Sequence, residues 1–269
     1  MALLRPDIPL PLGEHLDELR RRLFLPAVVW GVVFVIAFAF ENELKVLFIQ
    51  PLLWAMGHAG SEVCAKAGLV IPVGETWPRL QTLDLGESMG VSMSLAMWAA
   101  FIVAMPILVY QFYSFVSIGL TAQERRLAFL LVPAAVILFY LGAGFGYYIG
   151  MPFIYAWFIQ WTANDPISTL DLRLASYRDA FFLYTLLFGG LFLVPWAVVT
   201  VCRVGFATPD KLAKFRKFAF MGSVVLAAIV GPGDPFSMAV LMVPTYLLYE
   251  IGLLAARVVG GPRKDPDRA

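Results

Sequence analysis

Uncharged apolar runs long enough to cross a bilayer constrain this chain more than any other feature. Leu23–Phe40, Met89–Gln111, Leu127–Ile149 and Ala180–Cys202 contain no Asp, Glu, Lys or Arg. A hydrocarbon core of ~30 Å needs about 20 such residues at ~1.5 Å each. Only 14 % of the residues are charged and 60 % are hydrophobic, against about 25 % charged in a soluble domain. The expected fold class is an all-α polytopic integral membrane protein, a single membrane domain over residues 1–269.

Two further uncharged runs are shorter. Phe218–Val230 has 13 residues and Phe236–Tyr249 has 14 before Glu250 interrupts. Runs of 10–14 are marginal for spanning, but Lys214, Arg216 and Lys217 flank one and Arg257 follows the other, and such side chains snorkel. The reading is six transmembrane helices, at about 23–40, 89–111, 127–149, 180–202, 214–230 and 236–258, the last two short.

Orientation follows from the bases. Fifteen of the 20 Lys and Arg fall on the N-terminus, the 112–126 loop, the 203–217 region and the C-terminus, leaving Lys45, Lys66, Arg79, Arg173 and Arg178 for the other side. The positive-inside rule then places both termini in the cytoplasm, and two termini on one side require an even number of spans, in keeping with six. The first apolar run has the length of a span and is followed by no small-residue cleavage site, so it reads as a retained helix. Cys64 and Cys202 fall on opposite sides in this topology, which excludes a bond between them.

Several local signals punctuate the spans. Pro51 kinks an interfacial helix at 44–56, and Gly142, Gly144 and Gly146 let a neighbouring helix approach. Tyr155, Trp157 and Trp161, in a connection at about 150–175, read as an interfacial belt. Ser176–Asp179 matches a capping box opening span four, and Thr208-Pro209 a helix start. No internal repeat is visible.

Signatures of soluble-type catalysis are missing. There is no GxxxxGK[ST], no HExxH and no recognisable nucleophile motif, so the chain reads as a non-enzyme with no cofactor and no metal. The residues that invite a function lie at the membrane surface. Glu124 follows Thr121 in the capping-box pattern; as a cytoplasmic carboxylate it can also bind a guanidinium through paired charge-assisted hydrogen bonds. The two roles are compatible, and Phe115 and its neighbours supply an apolar wall. In EHLDELRRRL, 14–23, Asp17–Arg21 and Glu18–Arg22 are i,i+4 pairs. Arg20 has no acid four residues earlier and projects beside the leucine stripe. Asp234, before Pro235, reads as the N-cap of span six. Glu250, inside the last helix, fits a packing role and a functional role equally well.

Together these stretches resemble the TatC family, the multispanning core of the twin-arginine protein translocase. The matching pieces are HLDELRRRL at 15–23, IQPL around Pro51, PILVYQFYSFVSIGLTAQERR at 106–126, SYRDAFF at 176–182, GPGDPFS at 231–237 and MVPTYLLYEIG at 242–252. The resemblance implies a prokaryotic plasma-membrane receptor for Arg-Arg signal peptides, acting in export of folded proteins driven by the proton-motive force. It implies TatA- and TatB-like single-span partners, a homo-oligomer within a larger complex and no nucleic acid. It places the signal-peptide site on Glu18, Arg20, Phe115 and Glu124, and functional positions on the opposite side at Pro51 and Asp234. The family's polar residue in an F-E-V-P context of span four is Leu193 here, so the polar load shifts to Gln111, Tyr110 or Glu250, or the groove is drier. The competing class is a small-solute secondary transporter, which calls for repeated halves and midplane polar groups.

Overall fold

In the computed structural model the described residues are 12–69, 71, 75, 77–116, 122–205, 207–230 and 234–259. Helices α1 (Leu12–Ala39), α2 (Glu41–Ala59), α3 (Ser61–Ala67), α4 (Glu87–Val116) and α5 (Ala122–Phe145) come first. A π-helical turn, Gly146–Gly150, leads into α6 (Met151–Ala163), and α7 (Leu174–Leu191), α8 (Leu193–Val204), α9 (Pro209–Lys214), α10 (Arg216–Val230) and α11 (Pro235–Val259) follow. Among the described residues five segments are long and apolar enough to cross a membrane: Arg20–Ala39, Glu87–Phe115, Leu131–Ala163, Leu174–Val204 and Pro235–Val258. Helix α10, at 15 residues, covers only about 22 Å.

Prolines explain where these long helices change course. Pro195 lacks the N–H that would reach the carbonyl of Leu191, and the chain breaks at Phe192 between α7 and α8. Pro152 likewise leaves the carbonyl of Tyr148 without its helical donor. The turn before it widens, and the N–H of Met151 reaches back to the carbonyl of Gly146. The helix then continues to Ala163, so Tyr155, Trp157 and Trp161 sit on a helix rather than in a connection.

The chain divides into two compact units, residues 1–45 with 92–136, and residues 46–91 with 137–269. In the first, Trp30, Phe34 and Phe38 stack along α1. Tyr113 of α4 meets Phe129 of α5 with ring centroids 6.3 Å apart. Glu41 accepts a hydrogen bond from Lys45 at 3.0 Å and another from Ser92. The lysine contact, then the serine, hold its carboxyl below the usual carboxylate range.

The second unit is built around Phe188, whose side chain is fully buried among Met151, Ile154, Tyr184, Leu191 and Leu241. Its ring lies in a trough made by Gly146 and Gly150, where a Cβ would fall within 3 Å of ring atoms. At Gly142 a Cβ would stand 2.4 Å from the carbonyl oxygen of Phe188 and 2.6 Å from Cβ of Phe192. The close approach expected of Gly142 and Gly146 is present, whereas Gly144 faces open space. Across the same bundle, Gly252 of α11 presses on Pro195 of α8, and Val198 and Cys202 pack on Ala256. Cys64 and Cys202 are both buried and free.

Helix α2 is fixed to this unit by its backbone as much as by its rings. Pro51 is buried and sits inside α2. A proline leaves the carbonyl four residues earlier without its helical N–H, here that of Leu47, and Tyr147 Oη donates to it at 2.8 Å. The neighbouring carbonyl of Phe48 accepts from Tyr177 Oη at 2.9 Å. Phe48 also meets the Tyr177 and Phe181 rings edge-on.

Candidate functional site

Of the four residues expected to form the peptide site, all lie in the first unit. Phe115 is half-buried in the last turn of α4, and Glu124 is in the first turn of α5. Residues 117–121, which join them and include Thr121, lie outside the described residues, as do the side chains of Glu18 and Glu124. The capping box at Glu124 and the Asp17–Arg21 and Glu18–Arg22 pairs therefore fall outside the description. Arg20 is exposed on α1, two positions after Glu18. Five residues, 117–121, separate the end of α4 from the start of α5 in the sequence.

The other three expected positions belong to the second unit. Asp234 caps α11, its Oδ2 accepting from the N–H of Ser237 at 2.8 Å, while Oδ1 is buried without a partner among the described residues. Glu250 binds Arg216 Nη2 at 2.9 Å through one oxygen and Tyr246 Oη at 3.1 Å through the other. It thus ties the start of α10 to α11. Leu193 is the first residue of α8 and half-buried, directly after the break at Phe192.

The residue that sequence reasoning missed is Glu87. Its side chain is 4 % exposed, and its carboxylate gathers donors from three residues. Oε2 accepts from the N–H of Leu83 at 2.9 Å, and Oε1 from the N–H of Ala175 at 2.8 Å. Arg173 reaches both oxygens, at 3.3 and 3.4 Å, and Asp84 at 3.4 Å. The first turn of α7 is thus capped from another helix. The expected capping box at Ser176–Asp179 does not open α7, which begins two residues earlier, and Asp179 pairs with Arg178 instead.

Around this carboxylate the 68–87 and 164–174 connections are stitched together. Gln81 N–H donates to Leu172 and Gln81 accepts from Leu174, both at 2.9 Å. Gln81 Nε2 reaches Asp171 at 3.1 Å. The N–H of Leu170 bonds the carbonyl of Ala67 at 2.7 Å. Asp165 organises the start of the second connection by accepting from Ser168 Oγ and the N–H of Ile167. These donors, the serine first, lower its pKa from the ordinary value. The available signal was an acid, Glu87, placed immediately before a long apolar run.

Among the described residues no group of three or more His, Cys, Asp or Glu is arranged to hold a metal. The fold and these surface sites define a multispanning helical membrane protein. Residues 14–244 match the family described as "Sec-independent protein translocase protein (TatC)". The chain belongs to this family, a component of protein translocation machinery and not a catalyst. It is 32 % identical to the Sec-independent protein translocase protein TatC of Deinococcus radiodurans over 96 % of this chain and 91 % of that one. The TatC of Escherichia coli is 29 % identical over 93 % and 90 %. Two crystal structures of the twin-arginine translocase receptor TatC superpose with TM-scores of 0.66 and 0.68. Their identities are 26 and 27 %, covering 91 and 90 % of this chain and 98 and 99 % of theirs. The small-solute transporter reading falls with this result.

Proposed function

We propose that the chain is the receptor subunit of the twin-arginine translocase, binding Arg-Arg signal peptides at its cytoplasmic face and organising proton-motive-force-driven export of folded proteins. The observation that carries this reading is the pairing of Phe115 and Glu124 across a five-residue connection, in the same unit as Glu18 and Arg20, in a chain of this family. A guanidinium pair needs carboxylates, and a tethered apolar segment needs a nearby bilayer. Glu18 and Glu124 provide the first, and the ends of α4 and α5 provide the second. Arg20 orients Glu18 or the peptide backbone, and Phe115 packs against the peptide.

In this reading the protein sits in a prokaryotic plasma membrane as one membrane domain with both termini cytoplasmic. Helix α10 is the fifth of six spans. TatA- and TatB-like single-span proteins are its partners, and it forms a homo-oligomer within the larger complex. Pro51 and Asp234 act on the outer side, and Glu250 fixes the inner end of the short spans. The Glu87 network then closes the outer face.

Glu124→Gln keeps a side chain that can cap α5 and removes the charge. Charge-assisted hydrogen bonds contribute about 1.5–3 kcal/mol, so affinity for an Arg-Arg signal peptide should fall roughly tenfold or more, and export with it. Protein level and melting temperature should barely change. If Glu124 only caps the helix, Glu124→Gln is silent and Thr121→Ala is the more damaging change, an outcome that removes the carboxylate from the site.

A further inference from the structure

Helices α9 and α10 meet in an elbow at Phe215, closed by hydrogen bonds from the N–H groups of Phe218 and Ala219 to the Phe215 carbonyl, both 2.9 Å. Three lysines mark it. Lys211 and Lys214 lie three residues apart, on one face of α9, and Lys217 follows in the first turn of α10. All three are exposed, and none makes an ion pair among the described residues. Arg216 is already engaged by Glu250. Asp210 is the one acid between Arg203 and Phe220. Between these cations the rings of Phe215 and Phe218 are 55 and 60 % exposed, with Lys217 Nζ 5.5 Å from the centroid of Phe218.

The contacts of the elbow place it along α11. Arg216 bonds Glu250, and Tyr249 Oη donates to the carbonyl of Leu212 at 2.7 Å. The elbow therefore stands level with residues 249–250 of α11, nine residues before that helix ends at Val259. Nine residues are about 13 Å along a helix. Helix α8 runs on beside that last part of α11, with Cys202 against Ala256. The free lysines thus sit below the rim made by α8 and α11. Only about 22 Å separate them from the far end of α10, against a hydrocarbon core of ~30 Å.

We infer that this elbow is a binding surface for the headgroup of an anionic phospholipid. Lys211, Lys214 and Lys217 take the phosphate and its neighbouring oxygens, and the acyl chains cover Phe218, Met221 and Val225, all exposed on α10. Charge complementarity favours an anion, because three unpaired cations face a single acid. The recessed position and the flanking rings favour a lipid over an acidic protein segment, since the surface is apolar immediately beyond the cations. The lipid would be drawn inward, matching the bilayer to the short helix at a cost spread over a few lipids. This inference does not rest on the signal-peptide reading.

The test uses the full chain in phosphatidylcholine vesicles with trace spin-labelled phosphatidylglycerol or phosphatidylcholine, reading the lipid fraction immobilised on the protein. Each lysine near an anionic headgroup supplies up to about a fivefold preference. The wild-type chain should therefore select phosphatidylglycerol by at least about threefold. The variant K211Q/K214Q/K217Q should lose most of that selectivity, and K214Q alone should lose part of it. Removing three bases from the C-terminal tail, R263Q/K264Q/R268Q, should leave it intact. No selectivity in the wild-type chain, unchanged selectivity in the triple lysine variant, or an equal loss in the tail variant would each overturn the inference. So would displacement of the labelled lipid by inorganic phosphate as readily as by unlabelled phosphatidylglycerol, which would mark a free-anion site.

Discussion

Glu87→Ala is expected to destabilise the protein, because it removes a carboxylate that accepts from two backbone N–H groups and from Arg173. The change leaves the N–H of Leu83 and the N–H of Ala175 without their acceptor and leaves the guanidinium of Arg173 with Asp84 alone. A buried donor left unsatisfied costs about 1–3 kcal/mol by itself. Glu87→Gln should cost less, because its amide oxygen still accepts one backbone bond, although its nitrogen opposes Arg173. A lower melting temperature in detergent and faster proteolysis in the 68–87 and 164–174 connections would register the loss. Wild-type stability in the alanine variant would show that the Glu87 network is dispensable. Signal-peptide affinity should be unaffected in the protein that remains folded, because Glu87 belongs to the unit that lacks Phe115 and Glu124.

Gly142→Ala should be comparably severe for a steric reason. The added Cβ would stand 2.4 Å from the Phe188 carbonyl oxygen and 2.6 Å from Cβ of Phe192. Those atoms are backbone and a branch point rather than the free end of a side chain, so the two helices must separate. Overpacking a filled core costs about 1–3 kcal/mol and sometimes more, and Phe188 has no free volume to retreat into. Gly144→Ala, two residues on, meets nothing within 4 Å. It should be neutral or slightly stabilising, since alanine is the better helix former by about 1 kcal/mol. The pair is measured together by thermal melting. Equal behaviour of the two variants would contradict the close contact of α5 with Phe188.

The contrast between those two glycines shows what the sequence could convey. Three glycines spaced by two residues announce a close approach, but not which of them faces the neighbour. That depends on the direction of Phe188, 46 residues later. The apolar runs revealed the long helices because a bilayer imposes a length, and their course followed from prolines such as Pro195. The continuation to Ala163 was hidden because Trp157 and Trp161 suit an interface as well as a helix face. At the candidate peptide site, residue types at fixed spacing were readable. Glu124 is an acid at the start of a helix beside an aromatic loop, and Arg20 lacks the i−4 acid its neighbours have. Glu87 was not readable, because its partners Arg173 and Ala175 are more than 80 residues away and two of its bonds go to backbone N–H groups. Glu250 lay between these cases. Its acid inside an apolar run was visible, whereas the partner Arg216 required the fold.

Cross-linking of a signal peptide to the 112–126 segment tests the account most directly. A photoreactive group placed beside the Arg-Arg pair of a native signal peptide should cross-link to residues between Phe112 and Arg126 in the full chain. A Lys-Lys peptide should cross-link far less, because an ammonium cannot make the paired bonds that a guanidinium makes to a carboxylate. Glu124→Gln should bring the Arg-Arg peptide down towards the Lys-Lys level. Equal cross-linking of the two peptides, or cross-links confined to the 68–87 and 164–174 connections, would contradict a cytoplasmic carboxylate site for the arginine pair.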